Sequence, residues 1–399
     1  MASMQRAFAR GLLIGAAGVA VWAVSRRANG NGRPMLLDWG WASRVAERVS
    51  GEERLIGPAE KAKLLAEYRA LVERVEQPLQ TYTGTVLPLS ETSVQVMDRA
   101  DWIRANVTNF RDLFEPVEAA YARSVLEGGL QALLISSVTQ VVLSGQFGLL
   151  LGYLARRVLG QYDVSLLGKE PVTAGKLYFV EPNIRALVQR MHAPADEVRQ
   201  WIVLHEATHA HEFEVHPWVR GYLNDHLREY LRSVVDDMVH TSNGGFATFA
   251  LRLADNLRRG HNLLNALMTP RQREIVSRLQ ALMSLAEGYS NHVMNAVGRQ
   301  TLPHFDQISR SLERRQRSRG KIEELFLKIT GLKMKMEQYK LGEAFVDRVV
   351  ESRWVAFLNR AWEAPHCLPS EAEIRQPEHW IARMDAPFAA NGVSKAALG

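Results

Sequence analysis

One cysteine, Cys367, stands in a chain of 399 residues. That excludes an intramolecular disulfide framework and any zinc site built from clustered thiolates. Basic motifs interleaved with aromatics are missing, and so is a helix-turn-helix signature. Nucleic acid is therefore not an implied partner, although the net charge is +6 and the sequence pI is near 9.4. The excess is local. It gathers at Arg6, Arg10, Arg26, Arg27 and Arg33, and again between Arg310 and Lys321. Internal repeats and low-complexity tracts are absent too. What remains is ordinary for a globular protein, with 47% apolar and 23% charged residues.

Long apolar runs are scarce, and two stretches come near to being one. Gly11 to Val24 is uncharged and apolar, set between Arg10 and Arg26-Arg27, with a flexible Asn-Gly-Asn-Gly linker behind it. It is shorter than the roughly 20 residues a spanning helix needs. Ala23-Val24-Ser25 also makes a poor cleavage site ahead of two arginines. Residues 1–34 read as a hydrophobic extension and linker: a short anchor, an uncleaved signal or a peripheral segment. Location then stays open between cytoplasmic and membrane-associated through residues 11–24. Gly128 to Ala155 carries no charge, but Gln131, Ser136, Ser137, Thr139, Gln140, Ser144 and Gln146 interrupt it. It reads as a central core helix.

Residues 35–399 read as one helical domain. Apolar spacing predicts helices over 36–49, 58–75, 98–110, 113–126, 227–239, 246–267, 270–298 and 321–360, the last broken around Gly331. Leu159 to Asp163 reads as a turn, and Lys176-Leu-Tyr-Phe-Val180 as a strand. That strand is a candidate to pair with an extended substrate, or is simply structural. The basic run from Leu302 to Arg319 reads as a solvated face. Four prolines, Pro365, Pro369, Pro377 and Pro387, suggest an irregular tail.

The chain is organised around Trp201-Ile-Val-Leu-His205-Glu206-Ala-Thr-His209. On a helix, His205 and His209 lie one turn apart on one face. Two imidazoles so placed can grip one Zn²⁺, and Glu206 can take a proton from the metal's water. A pair of structural histidines is the alternative. Catalytic zinc needs a third ligand, and two candidates stand out. His216 lies seven residues after His209, a rise of about 10 Å on a continuous helix. Glu212 holds the position where a turning glycine would bring such a histidine back, and Pro217 marks a helix end. Glu287 is the better candidate, an acidic residue isolated among apolar neighbours in Leu282-Met-Ser-Leu-Ala-Glu287-Gly. A carboxylate there is costly unless paired or metal-bound. Tyr289 and His292 are candidate transition-state donors or core residues, and Asn295 could orient a ligand histidine.

Separated motifs now add up. They are Leu204-His-Glu-Ala-Thr-His209 before Pro217-Trp218, Val158-Leu-Gly-Gln-Tyr-Asp163, Val180-Glu-Pro-Asn183, Ala286-Glu-Gly288 with Val293-Met294, Gln338-Tyr339, Leu368-Pro-Ser370 and Glu373-Ile374. In this order, across about residues 35 to 385, they resemble a bacterial family of zincin-like hydrolases of uncharacterised function. Members of that family are associated by name with biosynthesis of the deazaflavin coenzyme. The resemblance implies a mainly α, multi-helical zincin-like fold with an H-E-x-x-H helix and a small β element. It also implies metal-dependent hydrolysis. Tyr289 stands where that family tends to have His, and Asn295 where it tends to have Asp. An Asn can accept a hydrogen bond but brings no charge.

Zinc-dependent cleavage of a peptide or other amide is thus the leading expectation, with His205, His209 and Glu287 on Zn²⁺ and Glu206 moving the proton. A catalytically inactive metal-binding scaffold is the alternative. A helical membrane-surface protein with structural histidines is a third. Oligomeric state and substrate leave no trace in the sequence.

Overall fold

The computed structural model describes residues 34–386 apart from 52–54, 87–92, 128, 164–174, 192, 241–267 and 318–331. The apolar stretch at 11–24 and the helix expected over 246–267 lie outside the described residues. Among the described residues, no helix is long and apolar enough to cross a membrane.

Among the described residues, twelve α-helices surround a three-stranded sheet, and the chain is mainly α as expected. Helices α1 (Trp39–Ser50) and α2 (Pro58–Thr83) lead to strand β1 (Ser93–Met97). Next come α3 (Arg99–Glu127), α4 (Gly129–Ala155), β2 (Gly160–Asp163), β3 (Lys176–Val180) and α5 (Glu181–Met191). The H-E-x-x-H helix is α6 (Ala195–Glu214), followed by α7 (Pro217–His240), α8 (Pro270–Thr301), α9 (Phe305–Arg317) and α10 (Leu332–Leu358). Two short 3₁₀ turns, Asn359–Trp362 and Pro365–Cys367, then lead into α11 (Glu371–Arg375) and α12 (Pro377–Asp385).

Several expectations change. Helix α2 runs through Pro78 to Thr83, and α3 is one helix through Pro116. The tail is not irregular. Pro365 and Pro377 occupy first-turn positions, where a missing N–H costs nothing. Ser370 and Glu373 form a capping box for α11, and Trp362 and Trp380 are buried in the main core. The basic run folds as α9, with Phe305 and Ile308 buried on one side. Helix α4 is not central. It packs on α1 and α3 in a separate apolar cluster, and leaves Val142 and Leu149 part-exposed.

The sheet also differs. Leu159 to Asp163 is not a turn: residues 160–163 form β2, antiparallel to β3. The strand expected at 176–180 is present, but it is the middle one, in the order β1-β3-β2. Both of its edges are therefore occupied, parallel to β1 and antiparallel to β2, and it has none left for a substrate. The Val180 N–H donates to the Leu159 carbonyl at 2.8 Å. Antiparallel pairing alternates, so Gly160 and Tyr162 turn their backbone groups away from β3.

Helix α6 crosses the centre of the main core. Val198, Ile202, Val203, Leu204, Ala207 and Ala210 are buried around it, more broadly than a one-sided amphipathic helix allows. Helix α8 begins at a Thr269–Gln272 capping box with Pro270 in its first turn. It meets α10 so closely that a Cβ on Gly288 would lie 2.4 Å from the Gly342 backbone. That crossing fixes α8, and with it Glu287, against α6.

Candidate metal centre

Helices α6 and α8 bring His205, His209 and Glu287 together. His205 Nε2 lies 3.9 Å from Glu287 Oε2, and His209 Nε2 lies 4.0 Å from the same oxygen. One donor atom from each residue falls within 4.8 Å of the others, so the trio could hold a metal ion. Zinc bonded at about 2.0–2.2 Å sets tetrahedral neighbours roughly 3.3 Å apart. The observed spacings, up to 4.8 Å, are wider and close only with side-chain movement. The donor set of two imidazoles and a carboxylate also suits zinc. His205 and Glu287 keep about a fifth of their side-chain surface open (23% and 22%), and His209 keeps 12%. The trio is a recess rather than a sealed core.

The electrostatics follow from crowding. Burial and the nearby His209 push His205 down to about 3, so its ring stays neutral with a lone pair to give. Burial, reinforced by Glu287, lifts Glu206 to about 7 against the pull of His209. Burial would lower His209, but the Glu212 carboxylate, then Glu287 and Glu206, raise it to about 9. Burial likewise lifts Glu212 to about 7. Three carboxylates therefore share a site in which, among the described residues, the one cationic partner is His209.

Glu206 is buried beside β2. The Tyr162 backbone N–H hydrogen-bonds its carboxylate, as the outward-facing register of β2 requires. A Cβ on Gly160 would lie 2.6–2.8 Å from the Glu206 side chain, so only glycine lets the strand pass this close. Tyr162 is held in turn by hydrogen bonds from its hydroxyl to Glu214 and from Arg220. Glu214 also accepts the Gly175 N–H at 2.7 Å. The C-terminal turn of α6 thereby anchors the sheet edge.

The other candidates fall elsewhere. His216 follows the end of α6 and stacks on Trp362, with ring centroids 6.1 Å apart, outside the His-His-Glu group. Tyr289 is fully buried and donates its hydroxyl to Asn359 at 2.9 Å. His292 sits between Tyr82 at 2.7 Å and Asp347 at 2.6 Å, facing α10. Neither is free to act as a donor in the recess. Among the described residues, no hydrogen bond links Asn295 to either histidine. His209 Nδ1 is bound instead by Glu212 at 2.9 Å and Ser290 at 3.0 Å. Sequence reasoning missed both. Glu212 was legible in principle, three residues after His209 on the same helical face.

A family model described as zincin-like metallopeptidase matches residues 37–381. The chain belongs to the zincin-like metallopeptidase family. Among solved structures, this zincin-like chain is similar to "a putative hydrolase with a novel fold" from Chloroflexus aurantiacus. The two share 40% identity at a TM-score of 0.64, over 88% of this chain and 99% of that one. No curated protein matches the zincin-like chain. Neither comparison mentions the deazaflavin coenzyme.

Proposed function

We propose that this protein is a zinc-dependent hydrolase that cleaves a peptide or another amide bond. One observation carries the reading: two histidines and a carboxylate from different helices converge beside a buried Glu206, with no arginine or lysine among the described residues to neutralise them. Family membership and the similarity to a described hydrolase support a general metallopeptidase-like function.

In this reading His205, His209 and Glu287 hold Zn²⁺. When bound, zinc supplies Lewis acidity, lowering the pKa of a coordinated water toward 7 and polarising a carbonyl. The remaining work belongs to the protein. Glu206, lifted to about 7, is matched to accept a proton near neutrality and return it to a leaving amine. Gly160 and the Tyr162 carbonyl face outward beside it, so an extended peptide laid along β2 would find backbone partners next to the proton carrier. The substrate-pairing edge is thus assigned to β2 rather than to β3.

The test is Glu206→Gln in the full chain, assayed against a peptide library with bound zinc measured in parallel. Zinc kept and turnover lost supports the assignment. Turnover at the parent's rate in the variant would remove Glu206 from the chemistry.

A further inference from the structure

We propose that Glu212 and Ser290 are positioning residues that fix the His209 ring for metal binding; this rests on the hydrolase reading above. The geometry is a closed three-way contact. Glu212 Oε2 lies 2.9 Å from His209 Nδ1. Ser290 Oγ lies 3.0 Å from the same nitrogen, and its hydroxyl donates to Glu212 Oε1 at 3.2 Å. With Nδ1–H held by these oxygens, Nε2, the nitrogen that faces Glu287, is the one left to give up its proton to a metal. The ring's orientation is set before any metal arrives.

Burial makes the contact informative. Glu212 is 1% exposed and Ser290 fully buried, so neither is a surface contact that water could replace. A buried carboxylate needs a strong donor, and among the described residues Glu212 has only the imidazole and the hydroxyl. A negative charge behind the ring strengthens it as a donor toward a cation in front.

The two positioning residues also come from the two helices that carry the ligands. Glu212 lies on α6 with both histidines. Ser290 lies on α8, three residues after Glu287. One hydrogen-bonded triangle therefore sets the α6–α8 register on which the 4.0 Å approach of His209 to Glu287 depends. His205 has no such partner among the described residues. The two imidazoles are unequal: His209 is oriented in advance, and His205 completes the set.

The experiment measures zinc affinity by competition with a chromophoric chelator in the full chain, its Glu212→Gln and Ser290→Ala variants, and His205→Ala. The visible spectrum of the cobalt-substituted forms and the melting temperature of the metal-free forms complete it. Glu212→Gln should weaken zinc about 10- to 100-fold, the range typical of lost outer-shell partners, and shift the cobalt bands. Ser290→Ala should weaken zinc in the same direction but less. The metal-free melting temperature of Glu212→Gln should hold or rise, which a purely structural role would not allow. Tight zinc in the parent with unchanged affinity in both variants would overturn the positioning role alone. No zinc in the parent would overturn it together with the hydrolase reading.

Discussion

Two buried carboxylate clusters lie in the same core, and they are compensated in opposite ways. Glu181, at the start of α5, is fully buried. Arg199 reaches it at 2.6 Å, Arg185 at 3.0 Å, and the Tyr68 hydroxyl at 2.6 Å. Its charge is answered by guanidinium groups that cannot lose their protons. Among the described residues, Glu206, Glu212 and Glu287 meet two imidazoles, a hydroxyl and the Tyr162 backbone N–H, and no guanidinium or ammonium. The first cluster is complete as folded. The second carries surplus negative charge, and a divalent cation could complete it. A buried acid alone therefore says little about function; the kind of cation beside it says more.

The largest expected effect breaks the completed cluster. Glu181→Gln strands the guanidinium of Arg199, which is mostly buried (17% exposed), while Arg185 keeps Glu60. Removing one partner of a buried pair typically costs about 3–5 kcal/mol, to be read by denaturant unfolding, with zinc binding unchanged. The matching substitution in the open cluster, Glu287→Gln in the metal-free chain, should cost far less or stabilise. Equal losses in the two variants would erase the distinction.

Next in size is completion of the open cluster. Zinc should raise the melting temperature of the parent and leave His205→Ala unmoved. At free zinc 100 times its Kd, linkage gives about 2.7 kcal/mol. A chelator should reverse the shift.

A smaller effect tests the strand beside the site. Gly160→Ala places a methyl within 2.6–2.8 Å of Glu206, so strand or carboxylate must move. About 1–3 kcal/mol of stability should go, as for other overpacked sites. Turnover should fall more than zinc affinity, because no ligand is touched.

The smallest is a control on α11. Burial alone would raise Glu373, yet Arg383 at 2.6 Å and the Ser370 capping contacts hold it below the usual carboxylate range. Its contribution is present above the unfolded carboxylate pKa and is lost as the pH falls through the lower folded value. Arg383 is 39% exposed, so the loss should be under about 1 kcal/mol. Comparing the acid limbs of the parent and Arg383→Ala checks it.

How much of this was legible follows from the range of each signal. The H-E-x-x-H pair depends on spacing within one helix, and spacing is visible. Glu287 was visible because an isolated acid on an apolar face needs a reason. Ser290 was not, since only the crossing of α8 with α6 gives it a partner. Two of the three short strands were lost for a related reason, while Lys176–Val180 was read correctly. Ser93-Val-Gln-Val-Met97 alternates, but over too few residues to stand out, and Gly160 looked like turn chemistry. Its true role is to let β2 pass Glu206. The C-terminal prolines were read as breakers, whereas Pro365 and Pro377 start helical turns. Sequence marks a proline's constraint but not which side of it the helix lies on.

The central claim is that three side chains from two helices hold one zinc ion. Elemental mass spectrometry of the untagged full chain, beside His205→Ala and Glu287→Ala, tests it most directly. Near-stoichiometric zinc in the parent and little in either variant is the expected result. A parent that takes up no zinc after incubation with the ion, or a Glu287→Ala variant that retains all of it, would contradict the claim.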